Sequence, residues 1–268
     1  MLGAIAGDIA GSIYENFRTK RKDMRLFGPL SIFTDDTVLT VAVADALLSD
    51  RNYERAIRSY AHRHPLRGYG PRFLKWMVTP NAKPYNSFGN GSAMRVSPVG
   101  FACDSADEVL HEARRSAECT HNHPEGIKGA QATALAVYLA RTGADKATIR
   151  TEITGRFGYD LSQTIDEIRP DYKFDMTCQG SVPQAIIALL DSTSFEDALR
   201  NAISLGGDAD TQAAIAGGIA EAHYKQLPET ILHQVRKRLP RTFWKTIVQF
   251  YQRFADEPTL RQIEALGT

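Results

Sequence analysis

Two short segments of the chain set acidic side chains beside hydroxyls where a loop runs into a helix: Thr34-Asp35-Asp36-Thr37 and Asp208-Ala209-Asp210-Thr211. A carboxylate at such a point caps the helix and complements its dipole, and capping accounts for either segment taken alone. Two segments of the same build, each ahead of a helix of small residues expected to be buried, ask for more. Four carboxylates in a core repel one another unless a cation joins them, and neither segment contains a basic residue. A divalent ion meets that need. Asp and Thr oxygens without His or Cys select a hard ion, Mg²⁺ or Mn²⁺, over Zn²⁺. They suit a pair of ions about 3.5–4 Å apart, as used in metal-assisted hydrolysis.

Three more segments carry polar groups at telling spacings. Asp8, Ser12 and Glu15 stand at i, i+4 and i+7, so they project in one direction from a helix, while Gly7 and Gly11 leave room for a close neighbour. Phe88-Gly89-Asn90-Gly91-Ser92-Ala93-Met94-Arg95 is a glycine-bearing loop that could bring backbone N–H groups near a phosphate, although a plain connecting turn explains it as well. It is not a P-loop, because no Gly-Lys-Ser/Thr follows. In Thr120-His121-Asn122-His123-Pro124-Glu125-Gly126 the two imidazoles lack zinc spacing, and they are read as hydrogen-bonding and stacking groups.

Helices must position these groups. Leu2, Ile5, Ile9, Ile13 and Phe17 recur at steps of three and four, which predicts one apolar stripe on a helix of about four turns. A second helix is expected from Asp36 through Leu48. Others are expected over Asn52–His62, Ala106–Glu118, Gly126–Thr142, Lys146–Phe157, Ser181–Asp191, Ser194–Ser204, Asp210–Lys225, Pro228–Leu239 and Thr242–Asp256. Strand signals are nearly absent and several windows are Ala-rich, so the expected fold is all-α, a single-domain helical bundle over residues 1–268. Loops are expected at Gly68–Pro71, Pro84–Pro98, His121–Gly126 and Leu205–Asp208.

Composition narrows the function classes. With 268 residues, 43% hydrophobic and 24% charged, the chain can bury one substantial core. Its net charge is +1 and its 32 basic residues are scattered, so no specific nucleic-acid partner is expected. The run Arg18, Lys20, Arg21, Lys22 is read as a solvated loop. Cys103, Cys119 and Cys178 lie far apart and suggest neither a zinc site nor a disulfide framework. No apolar run is long enough to span a bilayer, and Asp8 interrupts the apolar start, so a cytoplasmic protein is expected.

Taken in order, these segments resemble the ADP-ribosylglycohydrolase family, which includes the dinitrogenase-reductase-activating glycohydrolases. The residues that carry the resemblance are Gly7 to Glu15, Thr34 to Thr37, Gly89 to Arg95, Thr120-His121 and Ser204 to Thr211. It implies a compact orthogonal all-α bundle, expected as a monomer. It also implies a binuclear Mg²⁺ or Mn²⁺ centre on Thr34, Asp35, Asp36, Asp208, Asp210 and Thr211, with catalysis assigned to Glu15 and Asp36. Phe88, Asn90, Gly91, Ser92, Met94 and His121 would bind substrate: the Gly89–Arg95 loop would hold the diphosphate and distal ribose, and His121 would lie against the ADP portion. The implied reaction is hydrolysis of the ribosyl linkage in an ADP-ribosylated protein or a small ADP-ribosyl conjugate, with Glu15 acting as base or as acid. Two rivals remain: a module that binds ADP-ribose without cleaving it, and a binuclear phosphoester or nucleotide hydrolase.

Overall fold

Small and aliphatic residues dominate the first helix, and that composition decides where it lies. In the computed structural model, which describes residues 1–254 and 257–264, α1 (Leu2–Asn16) is buried on every face through Gly11. The single stripe expected from Leu2, Ile5, Ile9, Ile13 and Phe17 is thus replaced by a helix enclosed on all sides. Ile13 is only half-buried, and Phe17, just past the helix end, is 70% exposed. A helix apolar all round belongs in a core.

Its partner is the other small-residue helix, α12 (Ala209–Tyr224). A side-chain carbon placed on Gly3, Gly7 or Gly11 would stand 2.2, 2.0 or 2.4 Å from the backbone oxygen of Gly217, Ala213 or Ala209. Those separations lie far inside van der Waals contact, so the two helices meet backbone to backbone, antiparallel, at intervals of four residues. The last turns of α1 are thereby held beside the first turn of α12. Both ends carry acidic residues.

Around this pair lie α2 (Asp35–Leu48), α3 (Tyr53–Arg63), α4 (Pro71–Val78), α5 (Ser97–Ala102), α6 (Ala106–Glu118), α7 (Pro124–Arg141) and α8 (Lys146–Phe157). The remainder are α9 (Ile165–Ile168), α10 (Cys178–Leu190), α11 (Phe195–Ile203), α13 (Glu229–Arg238), α14 (Arg241–Phe254) and α15 (Glu257–Glu264). α7, α10 and α11 pack on α12, and α2 packs on α1, α3 and α14. One cluster of buried apolar side chains runs from Met1 to Ile263. No helix among the described residues is long and apolar enough to cross a membrane.

The expected all-α bundle is what the chain forms: no strand occurs among the described residues. The windows Ala106–Glu118 and Lys146–Phe157 coincide with α6 and α8, and the others lie within three residues of their helices. Two positions of the window ending at Asp256, 255 and 256, lie outside the described residues. α4, α5, α9 and α15 form where no helix was expected. α4 and α5 begin in segments read as loops because of their prolines. In each, proline sits in the first turn, where its missing N–H leaves no bond unmade. α9 opens on a capping box between Thr164 and Glu167.

Candidate metal centre and ligand cleft

A cleft of about 360 Å³ opens above the point where the last turns of α1 meet the first turns of α2 and α12. Glu15, Thr34, Asp35, Asp36, Asp208, Asp210 and Thr211 line its floor. The two acidic segments, 172 positions apart at Asp36 and Asp208 by their numbers, are therefore brought to one place. One carboxylate oxygen from each of Asp8, Asp36 and Asp210 lies within 4.8 Å of the others, and the same holds for Glu15, Asp208 and Asp210.

Asp8 joins this group from beneath, a placement not read from the sequence, although its shared face with Glu15 was the available signal. It receives the backbone N–H of Thr34 at 3.0 Å, the Thr34 hydroxyl at 2.7 Å, the N–H of Thr37 at 3.1 Å and the Thr37 hydroxyl. A carboxylate from α1 thus caps the start of α2, satisfying donors that a helix leaves open in its first turn. Asn90 does comparable work on the other side, its amide donating to Asp208 at 2.7 Å and to Ser181 at 3.1 Å.

The electrostatics of the floor are one-sided. Burial pushes the carboxyl pKa of Asp36 well above its usual range, and Asp8, Asp35 and Asp208 add to that rise. Asp210 is raised well above its usual range by burial, then by Asp36, Asp208 and Glu15. Asp35 behaves alike, through burial and then Asp8. Glu15 is raised by burial, Asp208 and Asp8, with Arg18 opposing. One oxygen of Asp36, Oδ1, is buried and has no hydrogen-bond partner. An all-oxygen donor set, crowded with like charge and holding an unfilled buried acceptor, fits a hard divalent cation.

Most of the walls come from loops. Gly68, Tyr85, Gly89, Asn90, Gly91, Met94, His121, Phe174 and Met176 line the cleft, joined by Arg72 from the first turn of α4. Phe174 lies under the guanidinium of Arg18 at 4.7 Å, and Tyr85 packs against His121 with centroids 5.9 Å apart. Arg72, Tyr85, Phe174 and Met176 were not read from the sequence, since none sits in a motif and only the folded chain brings them here. The glycine loop is fastened to the start of α10 by Asn90 N–H to Met176 O at 2.8 Å and Cys178 N–H to Phe88 O at 2.9 Å.

Two of the expected substrate-binding residues are not brought into the cleft. Ser92 is buried and its hydroxyl donates to Gly126 O at 2.7 Å, while Phe88 is 42% exposed and meets His123 edge-on at 5.3 Å. His123 accepts the N–H of Glu125 at 3.1 Å, the hydrogen-bonding role expected of it. The basic run is not simply a solvated loop. Lys20 Nζ donates to the backbone oxygens of Arg169, Tyr172 and Leu205 at 2.7, 2.6 and 2.7 Å, tying the segment after α1 to the loops that carry Phe174 and Asp208.

Comparison with known proteins agrees with this architecture. ADP-ribosylhydrolase ARH3 of Mus musculus is 28% identical, covering 86% of this chain and 84% of its own length. ADP-ribosylarginine hydrolase Tri1 of Pseudomonas putida (strain GB-1) is 27% identical over 84% of this chain and 69% of its own. A solved structure described as an ADP-ribosylglycohydrolase-related protein complex shares the fold, with a TM-score of 0.72 at 24% identity, over 94% of this chain and 96% of that one. Residues 1–263 match the family described as ADP-ribosylglycohydrolase, and the chain belongs to that family.

Proposed function

We propose that the chain is a divalent-metal-dependent hydrolase that frees ADP-ribose from a modified protein side chain or a small ADP-ribosyl conjugate. The observation that carries this reading is the convergence of the Asp8, Glu15, Asp36, Asp208 and Asp210 carboxylates at the cleft, with the buried Asp36 Oδ1 left without a hydrogen-bond partner. Thr34, Asp35, Asp36, Asp208, Asp210 and Thr211 would hold two Mg²⁺ or Mn²⁺ ions, with Asp8 and Asn90 orienting Thr34 and Asp208 from behind. When bound, such ions supply Lewis acidity to a ribosyl oxygen or a water.

The remaining work falls to the chain itself. Cleavage at a ribosyl carbon passes through an oxocarbenium-like state, so the sugar must be held rigidly while a proton moves. Glu15 stands half-buried at the edge of the acidic floor and lines the cleft. From that position it would exchange the proton at the scissile linkage, and burial together with Asp208 and Asp8 raises its pKa in the metal-free protein. A side-chain carbon on Gly91 would stand 3.1 Å from His121 Nε2, so glycine there lets the loop and the imidazole line the cleft side by side. The cleft residues, the family and the relatives' named activities all support this assignment over a phosphoester hydrolase.

The test is release of ADP-ribose, read by mass spectrometry, from peptides modified on arginine and separately on serine, with Mg²⁺ or Mn²⁺ and with chelator. Release from one peptide that chelator abolishes is the expected result and names the linkage. Tight ADP-ribose binding with no release from any conjugate would replace the hydrolase with a binding module.

A further inference from the structure

His121 ends in the cleft, and what stands behind it decides which of its nitrogens carries the proton. The ring is 6% exposed. Its Nδ1 faces away from the cleft and meets the hydroxyl of Thr120 at 2.7 Å. Its Nε2 lies beside the glycine loop, 3.1 and 3.7 Å from where a side-chain carbon of Gly91 or Gly89 would be, and has no hydrogen-bond partner among the described residues. Thr120 is fully buried and its hydroxyl is in turn met by Arg95 Nη2 at 2.9 Å. Arg95, also fully buried, anchors the same nitrogen on Ser116 O at 2.7 Å.

A guanidinium can only donate, so one lone pair of the Thr120 oxygen is occupied from behind. The hydroxyl has a single proton. If Nδ1 of His121 carried a hydrogen, both lone pairs of Thr120 would be filled and its own proton would be left with the neighbouring Cys119 sulfur, a weaker acceptor than an imidazole nitrogen. The donors that meet at the Thr120 oxygen are satisfied best when Thr120 donates to Nδ1 and the ring hydrogen sits on Nε2. Protonation of both nitrogens is opposed by burial and by the charges of Arg95 and Arg72.

We infer that Arg95 and Thr120 are positioning residues that lock His121 as a neutral imidazole whose Nε2–H is offered to an acceptor oxygen of the bound ligand. The relay lets a buried histidine donate a hydrogen bond without carrying charge. Its ligand arm rests on the reading of the cleft as an ADP-ribose site; its tautomer arm does not.

The test uses the full chain labelled with ¹⁵N-histidine and held in Mg²⁺, with the His121 signals assigned from their loss in His121→Gln. The expected spectrum shows an unprotonated Nδ1 and a protonated Nε2. Thr120→Val should mix the tautomers and weaken ADP-ribose binding by about tenfold, the worth of one buried hydrogen bond. Thr120→Ser, which keeps the hydroxyl, should restore both. A hydrogen on Nδ1 in the parent protein, or an unchanged tautomer in Thr120→Val, would overturn the relay. A shifted tautomer with unchanged ADP-ribose affinity would overturn its service to the ligand. If the parent protein binds no ADP-ribose, the proposed function fails while the tautomer measurement still decides the relay.

Discussion

Glu112 on α6 and Asp36 at the start of α2 are almost equally buried, at 2% and 3% exposed, yet their surroundings are opposite. Glu112 accepts the Tyr53 hydroxyl at 2.6 Å and the Arg115 guanidinium at 2.9 Å, with Arg51 at 3.6 Å. Burial by itself would raise its pKa, but Tyr53 and the two arginines outweigh it and hold the carboxyl below its usual range. Asp36 has carboxylates for neighbours and an oxygen with no partner. A buried acid whose partners are complete is a joint between helices. One left incomplete among like charges is costly to the fold unless a ligand completes it.

Four measurements press on that contrast. The largest effect should follow Asp36→Ala or Asp210→Ala, in which metal affinity and turnover fall together by more than the roughly 10–100-fold that losing an outer partner of a metal costs. Retention of two bound ions in either variant, read by calorimetry, would remove that residue from the ligand set. Glu15→Gln should leave metal and ADP-ribose binding in place and slow turnover by on the order of a hundredfold. An unchanged rate would take Glu15 out of the chemistry.

The third test concerns the complete site. Glu112→Ala should lower unfolding free energy by about 2–3 kcal/mol, because Tyr53 and Arg115 lose a buried partner, while turnover below the melting transition stays as it was. Asp36→Asn, by contrast, should stabilise the metal-free protein while abolishing metal binding. If both substitutions shift the melting temperature in the same direction, the contrast is wrong.

The smallest effect is one of pH. Asp35, Asp36 and Asp210 have folded-state pKa values above those of the unfolded chain. Their contribution to stability is therefore fully present below about pH 4 and is lost as pH rises through the raised values. His64, His121 and His223, whose pKa values burial lowers, pull the other way between pH 5 and 8, so the share of the acidic floor is read from the metal: saturating Mg²⁺ should stabilise the protein more at pH 8 than at pH 5. Acids held by hydrogen bonds or ion pairs, such as Asp23, Asp160 and Glu167, titrate below the ordinary carboxylate range and do not act in that window. Equal stabilisation by Mg²⁺ at the two pH values would mean the floor is better compensated than the contacts of Asp36 indicate.

Much of this was legible along the chain. The helices are local, and so are their signals: Ser105 ahead of α6 and Asp145 ahead of α8 accept backbone N–H groups as caps, and both helices fall where periodicity places them. Prolines misled at α4 and α5, because the same residue that breaks a helix interior is at home in a first turn. The paired Asp-Thr segments and the Glu15 face were visible as chemistry. The walls were not, since Tyr85, Phe174 and Met176 belong to no pattern and acquire meaning only by facing the same cleft.

By itself the sequence determined the helical class, the approximate extent of most helices and two acidic, hydroxyl-bearing segments, because each depends on residues within a few positions of one another. Tertiary structure alone decided that α1 is enclosed rather than amphipathic, that Asp8 turns inward to cap α2, that Ser92 and Phe88 stay out of the cleft and that Lys20 is a clamp. Each of those outcomes depends on how closely two distant backbones can approach. At the α1–α12 seam, where any side chain on Gly7 would collide with Ala213 O, that approach is set by the glycines of α1 meeting the alanines and Gly217 of a helix some 200 positions away.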